Sequence, residues 1–264
     1  HSGVEIDKQR ANAIKLAARL LYLVKADVRL ASFVGGIKHN AVPGNAEVVF
    51  ATDKFDSLKE GLDALVADLK EEYRVEDPGL TISFTEVTAD QVYTKDLSDS
   101  VIDMIMALPD GVQYMSKDIE GLVQTSLNNS VILENDGKLV LTTSVRSASS
   151  SSLREILNRV TIIANRMGAV AREYSSYPAW QYEAVSPLRD VAEKIYVEMY
   201  GKEPNITSIH AGLECGLLKG ILPNTDMISF GPSIFDAHTP KEHMYISSVE
   251  RVWEYTKKLL AALK

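Results

Sequence analysis

The sequence predicts an α/β and α+β protein in two parts, an antiparallel-sheet domain followed by a shorter segment of parallel type. Three observations predict it. The order helix–strand–strand–helix–strand occurs twice up to about residue 182. The two units, about 1–90 and 91–182, share few letters, so the repeat is one of pattern. After Tyr177-Pro178 the chain changes to strands separated by helices, which implies parallel pairing over 183–264.

The first unit opens with a helical period from about Arg10 to Val24 that puts Ile14, Ala17, Leu21 and Val24 on one face. The runs RLASFV and AEVVFAT follow as strands around a turn containing Asn40 and Pro43. Leu58, Leu62, Leu65, Val66 and Leu69 mark the second helix. Asp77-Pro78-Gly79 then hands over to a strand, LTISFTEV.

The second unit repeats the order. A helix around Asp99–Ala107 precedes SLNNSVILE and KLVLTTSVRS, joined by a hairpin turn at Asp136-Gly137. A helix from Leu153 carries Ile156, Leu157, Val160 and Met167, with Ser152 and Glu155 at capping-box spacing and Gly168 at its end. AVAREYSSY is the expected last strand. Beyond it, Ser186-Pro187 opens a helix that Gly201 closes. NITSI and DMISF read as parallel strands around a short helix at Glu214–Lys219, and a final helix runs from Ser248. Two strands are few for a parallel sheet, so this segment reads as part of a larger one.

Composition narrows the function. The chain has 264 residues, a net charge of −8 and a single cysteine. Acidic balance argues against nucleic acid, which needs a basic face. No apolar run approaches the ~18–20 residues that span a bilayer. One cysteine forms no internal disulfide and fits a reducing compartment. Cys215, in the helical context LECGLL, reads as a buried residue and not as a nucleophile. The start, His1-Ser2-Gly3, carries no targeting pattern and reads as a tag remnant or as the later part of a longer protein.

Ligands in open α/β sheets gather beyond the carboxyl ends of strands. His210 ends NITSI, His238 follows DMISF, and Glu214 lies one helical turn past His210. Imidazole and carboxylate are zinc ligands, yet loop histidines beside acids are as readily explained by local hydrogen bonds. His1, Asn40 and Arg146 are candidates in the first part, each with an ordinary structural explanation when taken alone. His39 and His243 read as surface residues.

Five stretches together resemble one family: HSGVEIDKQRANA, GGIKHNAVPGNAE, TTSVRS, IHAGLECGLL and MISFGPSIFDAHTPKEHMYISSVERVW. They are similar to the bacterial aminoacyl-histidine dipeptidases, cytosolic carnosinase-like members of the di-zinc metallopeptidases. The resemblance implies a lid and dimerisation domain over 1–182, and over 183–264 the returning part of a phosphorylase/hydrolase-like catalytic domain. Most zinc ligands of that family belong to a half not found here, so the chain is expected to be a fragment. By the resemblance His238 is a zinc ligand, His1 steadies the tetrahedral oxyanion, and Asn40 and Arg146 grip the substrate. His210 and Glu214 line its pocket.

The implied cofactor is a pair of zinc ions, or manganese or cobalt in their place. The implied substrate is a small peptide of Xaa-His type, and the implied assembly is a homodimer through the lid. A related carboxypeptidase, tripeptidase or deacylase is the alternative, as is a non-catalytic lid module when the chain stands alone.

Overall fold

Thirteen-residue strand β4 organises the first part of the chain in this computed structural model, which describes residues 1–3, 5–208, 214–236 and 241–264. The chain divides into a unit built on His1–Ala179 and a second containing Trp180–Ser208 and the described residues from Glu214 to Lys264.

In the first unit the order is α1 (Ala13–Val24), β1 (Arg29–Gly35), β2 (Ala46–Ala51), α2 (Phe55–Glu72), α3 (Lys95–Ala107), β3 (Gly111–Met115), β4 (Val123–Asn135), β5 (Lys138–Ser147) and α4 (Ser150–Arg166). The strands form one antiparallel sheet. β5 follows β4 along its whole length on one side. On the other side β3 pairs with the start of β4, and β1 meets it only at Gly35–Ile132. Between those two contacts the edge of β4 faces no strand.

Helices α1 and α3 cover one face of the sheet. Ile14, Ala18 and Leu21 of α1 meet Val101, Ile102 and Ile105 of α3 over Leu30, Phe33 and Ile132. The other side of α1 presents Leu16, Leu20 and Val24 to Leu62 and Leu69 of α2. Asn12 caps α1 by accepting from the amides of Ile14 and Lys15. Lys15 closes the far end of α3, donating to the carbonyls of Ile105, Met106 and Leu108 at 2.5, 3.2 and 2.7 Å.

Several expectations are corrected. LTISFTEV is not a strand. Leu80, Ile82 and Phe84 do alternate inward onto the α1–α2 core, so the apolar pattern is satisfied by packing without a ladder partner. AVAREYSSY is likewise irregular. The second unit of the repeat instead gains β3, whose short GVQYM run shows no clean alternation. The α4 cap is Ser149, which accepts from the Ser152 amide, three residues ahead of the expected capping position.

The second unit contains α5 (Pro187–Tyr200), α6 (Glu214–Ile221), β6 (Ile234–Phe235), β7 (His243–Met244) and α7 (Ile246–Ala262). Its helix α5 begins and ends as read: Ser186 caps it, Pro187 is its first residue, and Gly201 leaves it at φ +66°. Ala192 and Ile195 of α5 pack on Tyr255 and Leu259 of α7. The expected parallel strands are missing among the described residues. The described part of NITSI and all of DMISF lie unpaired, and only β6 and β7 pair, antiparallel. A parallel ladder needs neighbours in register, and these residues provide none. Much of this unit's apolar surface stays open, including Ile246, Trp253 and Leu260 along α7.

Candidate functional site

Along β5, Leu139 and Leu141 face the helices. Strand alternation therefore sends Val140, Thr142, Ser144 and Arg146 to the opposite face. Arg146 stands opposite Ser126 of β4. Its guanidinium is partly buried and, among the described residues, holds no acidic partner. Desolvation alone pulls its proton affinity below the ordinary arginine value. The Nε atom is buried and has no hydrogen-bond partner. A desolvated cation with no compensating anion is costly in a finished fold and fits a site built to receive one.

Residues 1–3 lie against that guanidinium. A methyl group built on Gly3 would stand 3.0 Å from Cε1 of His1, 3.1 Å from its Nδ1 and 3.4 Å from Cζ of Arg146. Imidazole and guanidinium thus converge on one point above Gly3. The Gly3 amide donates to Nδ1 of His1 at 3.0 Å, which leaves the neutral ring its proton on Nε2. The Ser2 amide donates to the carbonyl of Asn40 at 2.9 Å. Ser2 is buried, and its hydroxyl, like Nε of Arg146, has no partner. Among the described residues these are the two buried side-chain polar atoms in that condition, and both belong to this site.

The Asn40 turn is held from beneath, at the gap in the sheet. Asn128 of β4, 2% exposed, donates from Nδ2 to the carbonyl of Ala41 at 2.7 Å. The gap itself is filled by side chains. The amide of Asn129 donates to Oδ1 of Asp110 at 2.9 Å, and its carbonyl accepts from Nδ2 of Asn12 at 3.0 Å. Asp110 and Asn12 do there what a neighbouring strand would do. Burial pushes the Asp110 carboxyl above its ordinary value, against the Asn129 amide, the charge of Lys15 and the Asn129 and Asn12 side chains, which pull it down.

Gly36 adds to this anchorage. Its φ is +69°, and a Cβ there would stand 1.9 Å from the carbonyl oxygen of Ser130, so the loop rests directly on the bulge of β4. Replacing Asn128 by alanine should leave the Ala41 carbonyl unpaired at a cost of about 1–3 kcal/mol. It should also speed hydrogen exchange at the Ser2 amide, which hydrogen-exchange mass spectrometry would read. Unchanged protection there would separate Asn128 from the site.

Residues 1–77 match the model of the peptidase dimerisation domain of the M20 family. The chain is 35% identical to the cytosol non-specific dipeptidase of Escherichia coli (strain K12) over 98% of its own length and 55% of that protein's. It superposes on the aminoacylhistidine dipeptidase from Vibrio alginolyticus with a TM-score of 0.91 at 36% identity, covering 99% of this chain and 55% of that one. Residues 1–77 are thus a peptidase dimerisation domain of the M20 family, and the chain as a whole is similar to these two dipeptidases. It spans about half the length of the relatives it matches.

Three sequence candidates, His1, Asn40 and Arg146, share one neighbourhood on the open face of the sheet. Asn40 takes part through its backbone carbonyl. Glu214 is exposed at the first turn of α6, in the second unit. His210 and His238 lie outside the described residues. His39 is exposed. His243 is half exposed and stacks on Phe235, with Nδ1 2.9 Å from the Lys241 carbonyl oxygen. Cys215, expected to be buried, is partly exposed on α6. Ser2, Gly3 and Asn128 were not among the candidates. Their contribution lies in missing partners and missing volume, and the adjacency of Ser2 and Gly3 to His1 was the available signal.

Proposed function

We propose that this chain is the substrate-gripping part of a dipeptidase, acting on short peptides with a free C-terminal carboxylate, Xaa-His among them. The observation that carries the reading is the partly buried, uncompensated Arg146 beside the His1 imidazole. A guanidinium suits a carboxylate because it binds both oxygens in a fork. An Nε2–H donor suits the carbonyl oxygen at which negative charge develops during hydrolysis. In a dipeptide these two oxygen groups flank a single Cα, and consecutive Cα atoms are only about 3.8 Å apart. Neighbouring donors can therefore hold both ends at once, which aligns the scissile bond and restricts its motion.

Zinc, or manganese or cobalt in its place, enters this reading through the resemblance and through His238. Among the described residues no group of three or more His, Cys, Asp or Glu side chains could hold a metal ion. No complete centre fits there, and this chain is assigned binding and orientation, not activation of the attacking water. The remaining ligands belong to a segment outside this chain, in keeping with its span of 55% of its relatives. Assembly as a homodimer through the first unit accords with the dimerisation-domain match. A cytoplasmic location accords with the relative's printed name.

The test is a titration of the isotopically labelled chain with glycyl-histidine followed by NMR. Resonances of His1, Arg146 and the Asn40 loop should shift together with one dissociation constant. Saturable shifts that spare all three would refute the reading.

A further inference from the structure

Gly3 needs no left-handed backbone: it is not among the glycines with positive φ, which are Gly36, Gly111, Gly121, Gly137, Gly168 and Gly201. Any residue could adopt its conformation. Any side chain there would crowd two groups at once, because the volume a Cβ would take is bounded by the His1 ring and the Arg146 guanidinium, at 3.0–3.1 Å and 3.4 Å. These neighbours are side-chain groups, so an added methyl would push them apart without disturbing the sheet. The Gly3 amide meanwhile fixes the imidazole through Nδ1.

We propose that Gly3 is a specificity-determining residue, a floor without a side chain that sets the spacing of His1 and Arg146 to match peptides whose free carboxylate belongs to the residue directly after the scissile bond. The inference rests on the peptide-binding reading above and adds a selectivity to it. A substrate whose last residue is a β-amino acid carries its carboxylate one methylene farther from the scissile carbonyl. With glycine at position 3 that substrate overreaches the guanidinium. A methyl at position 3 moves its two neighbours apart by a few tenths of an ångström and so lessens the penalty on the longer substrate.

The experiment compares the chain with its Gly3→Ala variant, using glycylglycine and glycyl-β-alanine as probes and NMR to follow His1 and Arg146. The native chain should bind glycylglycine about fivefold or more tightly than glycyl-β-alanine, a discrimination within the reach of one charge-assisted contact. G3A should lower the ratio at least twofold while its thermal midpoint stays within a few degrees of the native value. The same ratio in both proteins would overturn the proposal, as would a lost ratio accompanied by loss of the native sheet signals. A second measurement needs no peptide: nuclear Overhauser contacts between the His1 ring and Arg146 should be present in the native chain and weakened in G3A. If those contacts weaken as expected while neither peptide binds the native chain, the spacing role of Gly3 stands and the peptide-binding reading falls. If they do not weaken, the role of Gly3 falls whatever binds.

Discussion

Replacing Asp110 by alanine lowers the unfolding free energy of the first unit by about 3 kcal/mol, whereas asparagine at the same position stays within about 1 kcal/mol of the native protein. Oδ1 of Asp110 collects the Asn129 amide at 2.9 Å and the side-chain amides of Asn12 and Asn129 at 3.0 Å each. Alanine strips the Asn129 amide of its partner. The two side chains keep second acceptors, the carbonyls of Asn129 and Pro109. Asparagine retains an acceptor oxygen at that place and removes a charge that burial disfavours.

The pH dependence follows from the same burial. The folded-state pKa of Asp110 lies above its ordinary value of 3.8. Between those two values the folded protein binds more protons than the unfolded chain. Stability contributed by this group is therefore greatest at low pH, falls as pH rises through that window, and levels off above it. Asp110→Asn should flatten that slope. Urea melts at several pH values would check both statements, and an unaltered slope in the variant would contradict the assignment.

The second large effect concerns catalysis. The isolated chain should not hydrolyse carnosine above the buffer rate. A protein that joins it to the segment its relatives possess in addition should turn over on the order of 1 s⁻¹ or faster in the presence of zinc. In that joined protein His238→Ala should reduce bound zinc and lower turnover by several orders of magnitude if this residue is the zinc ligand that the resemblance implies. Metal analysis and a ninhydrin or coupled histidine assay would measure the two quantities. Full metal content and full activity in the His238 variant would remove this residue from the account.

Much of the first unit was legible because its signals are local. The helix through Ile14 and Leu21, the Asp136-Gly137 hairpin and, in the second unit, the Ser186-Pro187 start each reflect short-range geometry and stand where they were read. Val24, read on the Ile14 face, turns instead to the α2 side of α1. The failed strands have one cause: a strand is a property of pairs. Leu80, Ile82 and Phe84 alternate as a strand would, but a single chain segment cannot declare whether a partner lies beside it. DMISF fails in the same way.

The candidate site divides along similar lines. His1, Asn40 and Arg146 are residue types with recognisable chemistry, and motif resemblance was enough to single them out. Their convergence depends on a strand register, Ser126 with Arg146, and on a loop pinned by Asn128. Neither is written in any one stretch of sequence. Gly3 was invisible for a further reason, since it acts through the volume it does not occupy.

The most direct test of the central claim uses this chain alone and two ligands that differ in a single group, glycyl-histidine and its C-terminal amide. If Arg146 receives a peptide's carboxylate, the acid binds and the amide binds about 10–100-fold more weakly, as loss of a charge-assisted fork requires. Arg146→Met should then erase the difference between them. Equal affinity for acid and amide in the native chain, or an undiminished preference for the acid in the methionine variant, would contradict the account.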